Sequence, residues 1–158
     1  EDKIVVTKVT ISEIYNSCVY SLDVTNNSAD WTFRTEGDTK DELLENIEFT
    51  ATASSGVLTT AGTKVLGDYG FLTIPQPIKA NTVQIVISYN FYDKSDTSTL
   101  AYSKEVKAFL PISVVNEWEI GKNYTYNLLL SAETNDIVFT TPTISDWGAS
   151  SVGSIIIQ

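Results

Sequence analysis

The chain has 158 residues and a formal charge of −10, from 20 acidic and 10 basic side chains. A length close to typical domain size predicts one domain over 1–158, and the acidic balance argues against nucleic acid and anionic lipid, both of which are held through basic residues. Histidine is absent and Cys18 is the one cysteine, which excludes Ser–His and Cys–His nucleophilic pairs, histidine-ligated zinc and an internal disulfide.

Thr, Ser, Val, Ile and Tyr dominate the composition, the signature of strands rather than helices. The first predicted strand, Lys3 to Ser12, alternates Val5, Thr7, Val9 and Ile11 against Val6, Lys8 and Thr10. A second runs from Ile14 to Val24, and Asn26-Asn27-Ser28 then marks a turn. Trp31-Thr32-Phe33 restarts a strand with alternate aromatics on one side. One short helix is expected around 39–47, because Thr39-Lys40-Asp41-Glu42 matches a capping box and Leu43, Leu44 and Ile47 make an apolar stripe.

Ile47 to Ala53 reads as a strand, and Thr63 to Pro75 as one or two more, broken by Gly67 and Gly70. Thr82 to Tyr92 is the cleanest, with Val83, Ile85, Ile87, Tyr89 and Phe91 on one face. It should form a hairpin with Leu100 to Ile112 across the polar loop Asp93 to Ser98. A second hairpin should join Tyr124–Leu130 to Ile137–Thr141. The small-residue stretch Gly148 to Ser154 then leads to Ile155, Ile156 and Ile157. Together these predict an all-β chain, a β-sandwich of about 9–10 mostly antiparallel strands.

No motif of catalysis emerges. The sequence holds no S-x-x-K, G-x-S-x-G or Gly-rich phosphate loop, so no enzyme activity, cofactor or metal is expected. Two oxygen-rich stretches, Glu36 to Glu42 and Asp93 to Asp96, lack the spacing of a calcium loop and each carries a lysine. They read as solvated acids. Trp31, Trp118 and Trp147 could stack on sugars, which keeps a carbohydrate- or ligand-binding module as the alternative reading, although aromatics at alternate strand positions are more often core. No apolar run approaches the roughly 18 residues of a membrane-spanning helix.

Gly70-Phe71-Leu72-Thr73-Ile74-Pro75-Gln76-Pro77, leading into Val83 to Tyr89, is similar to an aliphatic "LIPQ" segment of the Bacteroidales fimbrillin-like families. Trp118-Glu119-Ile120-Gly121-Lys122-Asn123-Tyr124-Thr125-Tyr126-Asn127-Leu128, then Ile137-Val138-Phe139 and Ser145-Asp146-Trp147, resembles the W-x-x-G-K-x-Y-x-Y-x-L … I-x-F … W ending of their C-terminal domain. Pro75, Trp118, Gly121, Tyr124, Tyr126, Phe139 and Trp147 therefore stand as structural residues. Gly121 should permit a tight turn and Lys122 cover a sheet edge. Tyr124, Tyr126, Leu128 and Leu130 should share a core face. Pro75 and Pro77 should stop pairing and carry the chain between sheets.

The resemblance implies a fimbrial (pilus) subunit or a tip or anchor component, structural or adhesive, displayed on the cell surface. It implies the C-terminal domain of a larger two-domain protein, held at the outer membrane by a lipidated N-terminus absent from this chain. Its partners would be other pilus subunits, joined by strand addition, and a host protein or glycan. The segment suited to donation is Ile155, Ile156 and Ile157. The residues by themselves read first as an ordinary last strand paired within their own domain.

Overall fold

In the computed structural model the described residues are 2–15, 18–33, 45–49, 56–59, 62–66, 70, 72–130, 137–146 and 156–157. They are all-β, with no helix among them. Strands β1 (Lys3–Ile14), β4 (Glu45–Phe49), β7 (Gln84–Tyr92) and β8 (Tyr102–Phe109) form one sheet in the order β4-β1-β7-β8, every pair antiparallel. A second sheet runs β12 (Ile137–Phe139), β11 (Asn127–Leu130), β14 (Ile156–Ile157), β5 (Thr63–Lys64). Three two-stranded ladders complete the set: β2 (Cys18–Asp23) with β3 (Ser28–Phe33), β6 (Gln76–Pro77) with β9 (Glu117–Trp118), and β10 (Lys122–Thr125) with β13 (Thr143–Asp146).

The two four-stranded sheets share one core, as in a β-sandwich. Ile85, Ile87 and Tyr89 point inward at alternate positions of β7 and belong to one core with Leu128 and Leu130 of β11, with Ile137 and Phe139 packed at its margin. Each such aliphatic side chain removed from water contributes roughly 1.5–3 kcal/mol, so the alternation of β7 alone fixes which face turns inward.

β1 departs from strict alternation. Val6, Val9, Ile11 and Ile14 are the buried apolar positions, not the series Val5, Thr7, Val9, Ile11. A bulge lies between Val6 and Lys8, and the hydroxyl of the extra residue, Thr7, donates to the Ser88 carbonyl at 3.1 Å. One unpaired residue reverses the in–out parity, bringing Val6 rather than Val5 to the core. A second irregularity between Ile11 and Ile14 reverses it again, with Glu13 in the left-handed region at φ 61°.

The outer side of β1 is shared by two partners. β4 pairs with Val9–Ile14, while Val57 bridges Val5, the Val6 N–H donating to Gly56 carbonyl (2.6 Å) and the Leu58 N–H to Ile4 carbonyl (2.9 Å). The helix expected over 39–47 falls largely outside the described residues, and its last three positions are strand: Glu45 and Ile47 pair with Ile14 and Ile11. The long-range ladder with β1 outweighs a local helical preference there. Among the described residues of 63–75, the two-residue β5 is the strand present, and 72–75 is irregular. Both expected hairpins form, β7–β8 and β11–β12.

The polar loop of the β7–β8 hairpin is built on two aspartates. The Asp93 carboxylate accepts the Ser95 N–H (2.7 Å) and hydroxyl (2.6 Å), and Asp96 accepts the Ser98 N–H (3.0 Å) and hydroxyl (2.6 Å) and the Thr99 N–H (3.3 Å). These bonds to the charged form hold both carboxyls below their ordinary range, Asp96 at about 2. The acids serve their own turns.

Candidate functional site

The stretch 117–128 folds back on itself through its own polar groups. Trp118 ends β9 with 4% of its surface exposed, and its indole N–H donates to the Tyr126 hydroxyl at 2.8 Å. Two residues before Tyr126, the Tyr124 hydroxyl of β10 accepts the Glu119 backbone N–H at 2.8 Å. Gly121 makes the turn between them at φ +72°, where a β-carbon would meet nothing within 4 Å, so the need for glycine is one of backbone conformation. Lys122, opposite Asp146 in the β10–β13 ladder, bonds its carboxylate at 2.7 Å. Burial pushes the Tyr126 phenol up to about 12, with the Trp118 bond opposing that shift. Phe139 packs edge-on against Tyr126, centroids 6.4 Å apart at 81°.

Tyr126 also marks a change of partner. β10 pairs with β13, whereas β11, one residue later, pairs with β12 on one side and β14 on the other. Tyr126, Leu128 and Leu130 are buried, and Tyr124 packs at the core margin.

A second tie closes the Pro75 segment. Gln76, 2% exposed, lies with its amide against the backbone of Tyr15 at the end of β1. Its Oε1 accepts the Tyr15 N–H (2.7 Å), and its Nε2 donates to the Tyr15 carbonyl (3.0 Å), Thr73 Oγ1 (2.9 Å) and Ile74 carbonyl (3.2 Å). The side-chain amide thus replaces a neighbouring strand. Pro75 is irregular and half-buried just before it, but Pro77 is in the β6 ladder opposite Glu117. A proline fits there because a two-residue ladder does not require its missing N–H.

The third feature is the place of β14. Ile157 pairs with Leu128 in parallel and with Thr63 in antiparallel fashion, and Ile156 likewise with Asn127 and Lys64. The segment expected as donor therefore lies in the interior of a sheet, ladders on both sides, filling a slot whose rims are β11 and β5. Ile155 and Trp147 fall outside the described residues, and no side chain of β14 is described.

Sequence reading brought the terminal isoleucines and the tryptophan motif to attention. It placed strands over both rims, within 63–75 and 124–130, but not their pairing with the terminal segment, which no local period announces. It also missed Gln76, although a glutamine flanked by two prolines is a visible oddity in a chain otherwise apolar there. Trp118, buried and bonded, is no platform for a sugar. No helix among the described residues is long and apolar enough to cross a membrane.

A family model described as fimbrillin-like matches residues 1–147. No curated protein and no solved structure matches the chain. With the match spanning almost its whole length, the chain belongs to the fimbrillin-like family.

Proposed function

We propose that this fimbrillin-like chain is a fimbrial subunit, or a tip or anchor component, that joins its neighbours by exchanging a strand through the slot between β11 and β5. The observation carrying the proposal is the position of β14: a ladder of two residues, interior to its sheet, joined to β13 only through residues 147–155. Those nine residues include two Gly, one Ala and three Ser, and nine residues fully extended would reach roughly 30 Å. The same link can deliver the strand to its own slot or to that of another copy. The interactions are identical in both cases, so assembly is a matter of concentration and link length.

On this reading the role is structural or adhesive, at the cell surface, with other pilus subunits as partners and no catalysis. A single β-sandwich acting as the C-terminal domain of a larger protein, and a lipid anchor at the outer membrane, belong to the same proposal.

The test is assembly of the full chain at rising concentration, followed by light scattering and by electron microscopy. The full chain is expected to form oligomers, and removal of Ser154–Gln158 to leave folded monomers. Equal assembly without those residues would overturn the proposal, and loss of folding would assign the strand to its own core.

A further inference from the structure

An acceptor slot has to keep its two rims about 9.5 Å apart, twice the strand spacing, while no strand lies between them. The β11 rim is held by its hairpin with β12. The β5 rim has no such support: it ends the order β12-β11-β14-β5, and β14 is its one ladder neighbour among the described strands. A rim with that single neighbour would drift when the neighbour departs.

What holds β5 is a knot of hydroxyls just before it. Thr63 Oγ1 accepts the Thr59 N–H (3.1 Å) and donates to the Val57 carbonyl (2.8 Å). Thr59 Oγ1 donates to the Gly62 carbonyl (3.1 Å), and the Gly62 N–H returns to the Thr59 carbonyl (3.0 Å). Val57 and its neighbours are in turn bonded to Ile4–Val6 of β1, in the opposite sheet. On the far side of β5, Val65 is 1% exposed and belongs to the core. Every tie in this chain is made without β14. Thr63 is at once the residue that faces Ile157 through its backbone and the residue whose side chain closes the knot.

We propose that Thr63 is the positioning residue of the slot: its hydroxyl ties the β5 rim to β1, so that the slot keeps its width when its strand leaves and can receive that of a second copy. This rests on the strand-exchange reading above. Thr63→Val keeps the shape and removes both bonds, and Thr63→Ser keeps both bonds.

The experiment uses the full chain carrying Ile157→Pro, which breaks the β14 ladder, and a fluorescein-labelled peptide of residues 150–158, with binding read by anisotropy and folding by circular dichroism. Ile157→Pro should take up the peptide, the added Thr63→Val should weaken uptake at least tenfold with the spectrum unchanged, and Thr63→Ser should restore it. Equal uptake with Val and Ser at 63 overturns the role of Thr63 and leaves strand exchange standing. A folded Ile157→Pro chain that takes up no peptide overturns strand exchange itself, and the role of Thr63 with it. Should Ile157→Pro fail to fold, hydrogen exchange in the chain with its native terminus decides. Thr63→Val, against Thr63→Ser, should then speed exchange of the Ile156 and Ile157 amides about tenfold, and equal rates overturn the proposal.

Discussion

Tyr126→Phe isolates one oxygen in a buried contact between two side chains. The ring and its edge-on packing against Phe139 remain, while the Trp118 indole N–H, buried with its ring, loses its acceptor. A net hydrogen bond is worth roughly 1 kcal/mol, and stranding a buried donor adds roughly 1–3, so the substitution should cost about 2–4 kcal/mol in urea unfolding. At about 2–4 °C per kcal/mol for a chain of this size, Tm should fall by about 4–16 °C. The pH dependence supplies a second reading. The phenol is pushed from 10 up to about 12 by burial, so above pH 10 the unfolded chain releases a proton that the folded one keeps. The stability linked to Tyr126 is full below pH 10 and is lost as pH rises toward 12. The wild type should therefore fall more steeply than Tyr126→Phe across pH 10–12. In a Trp118→Phe background, which has no donor to strand, the Tyr126→Phe cost should drop below about 1 kcal/mol. A cost under about 0.5 kcal/mol in the wild-type background, with parallel pH curves, would refute the account.

Gln76→Leu should destabilise by about 1–3 kcal/mol, since it removes both bonds to the part-buried backbone of Tyr15; urea unfolding checks it, and hydrogen exchange should quicken first at the Tyr15 amide. Asp96→Asn should flatten acid unfolding. The Asp96 carboxyl is held at about 2 by the Ser98 and Thr99 bonds, so its contribution is present above pH 3.8 and disappears as pH falls through 2. A wild type and Asp96→Asn pair with parallel curves between pH 4 and 2 would remove that role.

The parts legible in the sequence were those governed by one period. Gln84–Tyr92 alternates without interruption and lies between two partners, so its inward face could be read directly. Tyr126, Leu128 and Leu130 follow the same rule. β1 shows where the rule stops. Thr7 reads as an ordinary member of the alternating series with Val5, Val9 and Ile11, yet it is the bulge, because the register with β7 decides which residue goes unpaired. The capping box before 45 is a local signal, whereas the strand at Glu45–Phe49 owes its place to β1, more than thirty residues earlier. The slot was hidden for a related reason. Its rim at Thr63-Lys64 acquires strand geometry from β14, which lies at the other end of the chain.

The two kinds of contact around Gln76 and Trp118 impose different burdens on the residues that share them. The Gln76 amide meets the peptide group of Tyr15, and the Tyr124 hydroxyl meets that of Glu119; in each case one partner is a group every residue but proline carries. These two contacts bind positions 76 and 124 to their identities while leaving 15 and 119 room to vary. Trp118 and Tyr126 are joined side chain to side chain, so a change at either is tolerated only with a matching change at the other. Across related chains the first two contacts should leave solitary invariant positions, and the third a pair that is kept or lost together.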